Sequence, residues 1–242
     1  MSPSLPVLSA LDAPPASLTE RTLEAVRQGV RSGALQPGEL YSVYRLAEEL
    51  GISRSPVREA LLRLAETGMI RFERNRGFRV ILPTPQDIAE IVSIRVALEV
   101  PAVRRATIQA GANDRAAVRQ QYAAMETAAA SNDVAAFERH DQQLHALLMD
   151  IEGNIRTKSI VNNLRDAVRL VDVSTVRLDR SLTEVLADHL PIVQAFEAGD
   201  HIAAALAMEH HLRTTGRLLL HRALQPSGDA EEELRLWKKL ID

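Results

Sequence analysis

The feature that most constrains the fold is a pair of short amphipathic segments separated by only three residues, GIS at 51–53. Apolar residues in the first segment recur at the i, i+3, i+4 and i+7 positions of a helix: Val43, Leu46, Ala47 and Leu50. In the second segment Ser55 is suited to the N-cap and Pro56 to the first helical position, and Gly68 ends the helix. Two helices this close along the chain cannot be collinear, so the pattern predicts a helix-turn-helix.

After the second helix the apolar period changes from about 3.6 residues to two. Ile70 and Phe72 alternate with charged residues, and the alternation resumes at Phe78 after the turn RNRG at 74–77. This pattern predicts a two-stranded β-hairpin. Together with an amphipathic helix predicted over 18–33, the hairpin makes the segment a winged helix-turn-helix.

The charge of the chain is distributed unevenly. Residues 18–83 contain eleven Arg and eight Glu and neither Asp nor Lys, so their net charge is 11 − 8 = +3. The whole chain carries −3, which leaves −3 − 3 = −6 for the remainder. A small basic segment joined to an acidic one predicts that only the basic segment meets an anionic polymer.

The basic side chains of this segment lie where a helix-turn-helix touches DNA. The second helix of the motif enters the major groove N-terminus first, so we expect Arg54, Ser55 and Arg58 to reach base edges or phosphates. Arg74 and Arg76 in the hairpin turn are suited to the phosphate backbone or the minor groove. Each arginine alone is equally consistent with a solvated helix start or an ordinary turn. Their combination with the ordered helices and hairpin predicts DNA binding.

The rest of the chain has helical periodicity. A capped helix is predicted over 84–100, with Pro101 kinking or restarting it. Further helices are predicted between breaks rich in Gly, Ser and Asn: 113–130, 133–151, 155–177, 182–198 and 200–224.

The predicted fold class is therefore mainly α, in two domains. An N-terminal winged helix-turn-helix with a two-stranded β-hairpin wing occupies residues 18–83, and a C-terminal all-α helical bundle occupies 84–225. Residues 1–17 are predicted to be a flexible leader, and residues 226–242 a polar tail with room for one terminal helix.

The composition limits the chemistry that the chain can carry. It contains no cysteine, which excludes disulfides and leaves His, Asp, Glu or water to hold any metal ion. No uncharged apolar run approaches the roughly 18 to 20 residues of a membrane-spanning helix. Because the N-terminus also lacks the basic start of a signal peptide, we expect a cytoplasmic protein without a membrane partner.

Four ionisable residues lie in the apolar stripes of three predicted helices. Asp141 and His145 are one turn apart on the first of these helices, and His189 and His211 lie on the other two. Burying each group alone would cost several kcal/mol, so each is expected to have a partner. A shared divalent cation would satisfy all four and keep coordination positions open. For a single D-x-x-x-H, a satisfied polar pair or a surface pair is the alternative.

The sequence LAEELGISRSPVREALLRLAETGMI, followed by a basic hairpin, resembles the winged helix-turn-helix of the GntR family of bacterial transcription regulators. The resemblance implies base or phosphate contacts by Arg54, Ser55 and Arg58, and it places Gly77 at the tip of the wing. Many members carry an arginine at the position of Tyr44. Here the arginine is the next residue, Arg45, which becomes a candidate for DNA contact.

The helical part, about residues 84–225, resembles the FCD domain, the effector and dimerisation domain in the FadR-type branch of the same family. Its pattern of D...H and two later histidines is matched by Asp141, His145, His189 and His211. The resemblance implies that these residues hold a divalent metal ion, with zinc, nickel, iron and manganese not distinguished. It also implies a small organic acid as effector, bound beside the ion or directly to it.

An acid effector requires a positive counter-charge in addition to the metal. Arg95 matches an arginine common in the first helix of the FCD domain and is the first candidate, and Arg169 is the second. The alternative is that either arginine pairs with a neighbouring acid such as Glu99.

These features predict a ligand-responsive regulator, most often a repressor in this family, that binds near-palindromic double-stranded DNA as a homodimer. A metal-dependent enzyme that acts on a small carboxylate is the alternative of a different class. We do not expect catalysis, because no separate acid or base stands out beside the metal set and an enzyme has no use for a basic winged domain. A metal-free domain whose histidines bind the effector directly is a third hypothesis.

Overall fold

The computed structural model describes residues 17–66, 68–172, 180–224 and 230–241, without the side chains of residues 31 and 169–172. The chain divides into two units, the first ending at Ile81 and the second beginning at Leu82. Among the described helices, none combines the length and the apolar composition that crossing a bilayer requires.

The first unit contains three helices and three short strands in the part of the chain described. In chain order these are α1 (Leu18–Arg31), β1 (Leu40–Tyr41), α2 (Val43–Glu49), α3 (Arg54–Glu66), β2 (Ile70–Glu73) and β3 (Gly77–Val80). The side chain of Ser42 caps α2 by accepting a hydrogen bond from the backbone of Arg45. Gly51 ends that helix with φ 65°, as the sequence predicts.

The sheet of the first unit has one strand more than predicted. The predicted hairpin is present as β2 and β3, but β3 also pairs with β1, so the strand order is β1-β3-β2 and all pairs are antiparallel. The rings of Tyr41 and Phe78 lie 5.7 Å apart across the added pair. A strand of two residues is too short to show alternation in the sequence, and only its pairing with β3 defines it.

The second helix of the helix-turn-helix begins earlier than predicted. Because α3 starts at Arg54, Ser55 lies inside the first turn rather than at the N-cap, and Pro56 is the third helical residue. Proline is tolerated at this position because the first four backbone N–H groups of a helix have no acceptor within the helix.

The regular elements in the described part of the second unit are all helices. Its helices are α4 (Pro85–Gln109), α5 (Ala112–Ala130), α6 (Val134–Glu152), α7 (Ile155–Asp172), α8 (Leu182–Ala198), α9 (His201–Leu224) and α10 (Ala230–Leu240). Predicted and observed bounds agree closely for α5, α6, α8 and α9. The end predicted for α7, at residue 177, lies outside the described residues, as do residues 1–16 of the predicted leader.

The first helix of this unit is longer than the predicted 84–100, and Pro101 does not restart it, because α4 continues through the proline to Gln109. A proline inside a helix removes one backbone hydrogen bond and costs about 3 kcal/mol. The residues that follow it, Ala102, Val103 and Ala106, are fully buried in the core of the unit. Burial of this face offsets the cost of the proline.

The predicted polar tail is a packed element of the second unit. The apolar face of α10 buries Leu236 and Trp237 in a cluster with Ile88 and Val92 of α4 and Leu220 of α9. The exposed face of α10 carries the charged residues that give the segment its polar composition.

Candidate functional site

The first unit presents the predicted DNA-contacting side chains to solvent. Arg54, Ser55 and Arg58 are exposed on the first turns of α3. The guanidinium carbon of Arg54 lies 6.0 Å from the ring centroid of Tyr44, whose side chain is 55% exposed at the start of α2. This distance is within the range of a cation–π contact, so the Arg54 guanidinium lies beside the Tyr44 ring.

The arginines of this surface differ from other arginines of the unit in their partners. Arg63 and Arg79 form ion pairs with Glu59 and Glu73 at 2.7 and 3.3 Å. Within the described part of the chain no carboxylate pairs with any of the predicted set: Arg45, Arg54, Arg58, Arg74 and Arg76. These exposed guanidinium groups are therefore available to an external anion.

Gly77 has a structural role that the sequence did not indicate. The tip of the wing is the turn residue Asn75, with φ 57°, and Gly77 is the first residue of β3. Its φ is 135°, and a Cβ built on it would lie 1.9 Å from the carbonyl oxygen of Tyr41. Only glycine permits this approach of β1, so the position is explained without a contact to DNA.

Three of the four predicted metal ligands form a buried cluster in the second unit. His145 on α6, His189 on α8 and His211 on α9 are 1%, 0% and 5% exposed. One ring nitrogen of each lies within 4.8 Å of the others, and the closest ring centroids, those of His189 and His211, are 4.3 Å apart. Histidines from three helices thus converge in the core.

The fourth predicted ligand, Asp141, lies beside this cluster. Its Oδ1 is 2.9 Å from Nε2 of His189 and 3.9 Å from Nε2 of His145. Its Oδ2 accepts a hydrogen bond of 2.6 Å from Nη2 of Arg165 on α7. One carboxylate oxygen therefore faces the histidines and the other faces a guanidinium group.

The outer hydrogen bonds of two histidines determine which nitrogen carries the proton. Nδ1 of His189 lies 2.9 Å from the carbonyl oxygen of Val185, and Nδ1 of His145 lies 3.0 Å from Oε2 of Glu99. A carbonyl and an ionised carboxylate can only accept, so Nδ1 is the donor in both rings. Each neutral ring then directs the lone pair of Nε2 toward the cluster, which is the form that binds a metal ion.

Burial and the neighbouring charges together keep His145, His211 and Asp141 in their ligating forms. Burial lowers the pKa of His145 to about 4, helped by the Arg165 cation and opposed by Glu99 and Asp141. Burial and the neighbouring His189 and His145 likewise hold the pKa of His211 well below its ordinary value. Burial raises the pKa of Asp141, but Arg165 and the nearby histidines outweigh it and hold that pKa well below the usual range. At neutral pH His145 and His211 are therefore neutral, and Asp141 is ionised.

Two inward nitrogens of the cluster have no hydrogen-bond partner among the described residues. These are Nε2 of His145 and Nδ1 of His211, both buried, whereas Nε2 of His189 faces Oδ1 of Asp141 at 2.9 Å. Such groups cost about 1–3 kcal/mol each when they are left unsatisfied. Three imidazoles and one carboxylate are the donor types and the number that a divalent ion accepts, so these residues fit a metal site.

Arg95, the first candidate for the effector, is already paired. Its Nε donates to Oε1 of Glu99 at 2.7 Å, and both side chains are buried on α4. Burial raises the pKa of Glu99, but Arg95 and the contact with His145 outweigh it and hold that pKa well below its ordinary value. The interpretation of Arg95 as the partner of a neighbouring acid is therefore the one found in this structure.

Sequence reasoning missed two residues of the site, Glu99 and Arg165. Both lie in apolar stripes, with Val92, Arg95, Glu99 and Ala102 on one face of α4 and Val161, Arg165 and Val168 on one face of α7. The criterion that selected the histidines, an ionisable residue in an apolar stripe, would have selected them too. The side chain of Arg169, the second effector candidate, lies outside the described residues.

The adjacent residues His210 and His211 lie on different faces of α9. His211 is buried in the cluster, whereas His210 is exposed. His140 and His221 lie outside the cluster and contact Gln121 and Glu233.

A winged helix-turn-helix with an exposed basic surface, joined in one chain to a helical unit with a buried histidine cluster, defines a two-unit DNA-binding regulator. Comparison with known proteins agrees. Residues 18–80 match the bacterial regulatory proteins of the gntR family, and residues 90–214 match the FCD domain.

Two relatives illustrate the extent of the similarity. The "Gluconate operon transcriptional repressor" of Bacillus subtilis (strain 168) is 28% identical over 234 residues, which cover 93% of this chain and 90% of the relative. The "Probable D-xylose utilization operon transcriptional repressor" of Paenarthrobacter nicotinovorans is 30% identical over 207 residues, covering 84% of this chain and 91% of the relative.

Solved structures share the fold. E. coli McbR/YncC aligns with a TM-score of 0.74 at 21% identity and covers 85% of this chain and 98% of its own. A GntR-type regulator from Rhodococcus sp. RHA1 aligns with a TM-score of 0.66 at 25% identity, covering 84% and 97%. The protein belongs to the GntR family of bacterial transcriptional regulators and carries an FCD domain after its DNA-binding unit.

Proposed function

We propose that this protein is a transcriptional repressor whose affinity for its operator is modulated by a small organic acid bound at a divalent metal ion. The observation that carries the proposal is the convergence of three buried imidazole nitrogens beside the Asp141 carboxylate, two of them without a hydrogen-bond partner among the described residues. We propose that Asp141, His145, His189 and His211 hold the ion. When bound, it would supply a positive charge that attracts a carboxylate.

Repression is favoured by the relatives, because the gluconate operon and D-xylose utilization regulators are both named as repressors. We propose that the protein binds double-stranded DNA as a homodimer, which places two copies of α3 on a near-palindromic site with half-sites about 34–36 Å apart. Arg54, Ser55 and Arg58 would contact bases or phosphates, and Arg45, Arg74 and Arg76 the backbone. The regulator family itself argues against the alternative of a metal-dependent enzyme.

The effector would take the coordination positions that the four protein ligands leave open. Arg95 would act indirectly, because its guanidinium is paired with Glu99, which in turn orients His145. Arg169 stays a prediction as a direct counter-charge. For regulation, the acid must bind the DNA-competent and DNA-incompetent states with different affinity, and such coupling is typically about 1–3 kcal/mol.

The proposal is tested on protein purified without a metal-affinity tag. We expect elemental analysis to find one divalent ion per chain in the wild type and none in the His145→Ala/His211→Ala variant. Operator affinity, measured by fluorescence anisotropy at fixed salt, should change about 5- to 150-fold with one member of a panel of small carboxylates. The double variant should bind the operator but lose this response.

Two results would contradict the proposal. If metal-free wild-type protein responded fully to the acid, the histidines would bind the effector directly. If the metal-loaded protein converted a carboxylate of the panel to product, the enzyme hypothesis would replace the regulator.

A further inference from the structure

We propose that Arg165 is a positioning residue of the metal site, which holds one oxygen of Asp141 so that the other is presented to the ion. This inference rests on the proposed metal site and adds a residue that belongs to neither the D...H motif nor the histidine set. Arg165 lies on α7, 24 residues after Asp141, so it reaches the site from a different helix.

The two oxygens of the Asp141 carboxylate contact different residues. Nη2 of Arg165 lies 2.6 Å from Oδ2, whereas Oδ1 lies 2.9 Å from Nε2 of His189. Arg165 is 7% exposed, so its guanidinium is held within the protein, whereas the side chain of Asp141 is 20% exposed. A partly exposed carboxylate can rotate toward water, and a buried, charge-assisted hydrogen bond to one oxygen opposes that rotation.

The other ligands of the site show the same arrangement. Glu99 accepts from Nδ1 of His145, and the carbonyl of Val185 accepts from Nδ1 of His189. Each of these contacts orients a ligand from behind, and the Arg165 contact does the same for Asp141. Such outer partners change metal affinity about 10- to 100-fold when they are removed.

The charge of Arg165 and its positioning role predict opposite effects on metal affinity when the residue is removed. Arg165 is a cation beside the site of a dication, so its charge alone weakens metal binding and its removal would strengthen it. Orientation of Asp141 predicts that its removal weakens binding. The sign of the change therefore separates a positioning role from a general contribution to the charge of the site.

The test is a titration of the full-length, metal-free protein with Zn²⁺ alone against a competing chelator, in a buffer without carboxylates. We expect Arg165→Gln to weaken Zn²⁺ binding about 10- to 100-fold. Arg165→Lys, which retains the charge and one donor, should recover part of the loss. The matched control is Arg156→Gln, an exposed arginine on the same helix, which should bind Zn²⁺ like the wild type.

A second pair of variants, made in the Asp141→Ala protein, distinguishes a positioning role of Arg165 from a general loss of structure. In Asp141→Ala protein there is no carboxylate to orient, so adding Arg165→Gln should leave the affinity unchanged or increase it. Circular dichroism of the metal-free variants verifies that the helical content is retained.

Wild-type affinity or tighter binding in Arg165→Gln would overturn the role of Arg165, as would an equal loss in the Asp141→Ala background. Failure of the wild type to bind Zn²⁺, or any divalent ion tried in the same assay, would instead overturn the metal site and the proposed function.

Discussion

The three arginines of α3 differ in what they contact. Arg63 pairs with Glu59 one turn before it, whereas Arg54 and Arg58, at the start of the helix, have no carboxylate partner among the described residues. The N-terminus of a helix carries a partial positive charge and disfavours cations. Arginines placed there without acidic partners are therefore suited to phosphates and guanine edges.

We predict that the Arg54→Ala/Arg58→Ala variant loses specific operator binding. Each bidentate contact to a base contributes about 1–3 kcal/mol, so two lost contacts would cost about 2–6 kcal/mol. Fluorescence anisotropy at fixed salt, with operator and scrambled duplexes, measures the loss. Arg63→Ala should change affinity little, because its guanidinium is already paired with Glu59 on the same helix. Wild-type affinity of the double variant with intact circular dichroism would contradict the assigned DNA surface.

Residue type and helical spacing identified the histidines of the site correctly as inward-facing. The same rule applied to every ionisable residue would have added Glu99 and Arg165, both of which are buried. It could not have shown that Glu99 contacts both Arg95 and His145. The Arg95 contact is one turn along α4, but the His145 contact spans 46 residues.

At the scale of elements, the contact between α4 and α9 depends on a glycine. Gly216 of α9 faces Val92 of α4, and a Cβ on Gly216 would lie 2.6 Å from Cγ1 of that valine. Glycine inside a helix costs about 1 kcal/mol relative to alanine. Its presence here is explained by the close approach of the two helices, which carry His211 and Glu99.

We predict that Gly216→Ala lowers the free energy of unfolding by about 1–3 kcal/mol, because overpacking outweighs the gain in helix propensity. Urea denaturation of the metal-free protein measures the change. Val92→Ala removes the methyl groups that the new Cβ meets, so in that background the same substitution should be neutral or stabilising. Equal destabilisation in both backgrounds would show that the contact does not explain the glycine.

At the scale of the whole molecule, the proposed metal binding would be coupled to the folding of the second unit. The three histidines come from α6, α8 and α9, so the cluster exists only when these helices are packed together. A ligand that binds only the folded state stabilises it by mass action. Trp237, the sole tryptophan of the chain, is buried on α10 with the Arg217 guanidinium 4.9 Å from its ring, and its fluorescence reports on this unit.

We predict that Zn²⁺ at 100 times its Kd raises the free energy of unfolding of the second unit by about 2.7 kcal/mol. Urea denaturation followed by Trp237 fluorescence measures the shift. The His211→Ala variant is the control and should show no shift at the same Zn²⁺ concentration. An equal shift in this variant would place the stabilising ion elsewhere.

The sequence by itself determined the local structure and the direction of side chains. Turn residues and apolar periods located the helices, the change of period located the hairpin, and helical spacing placed His145, His189 and His211 inward. These features depend on residues within about one or two helical turns along the chain, so short stretches of sequence are enough to predict them.

Only the tertiary structure decided which of these elements meet. The pairing of β1 with β3, the passage of α4 through Pro101, the packing of α10 and the contact of Arg165 with Asp141 all depend on distant residues. The physical reason is that the period of apolar residues fixes the face of a helix or strand on which a side chain lies. The residue that this side chain contacts depends on how the whole unit packs. Gly77 and Gly216 could not be explained from the sequence, because the backbone or side chain that each one approaches is distant along the chain.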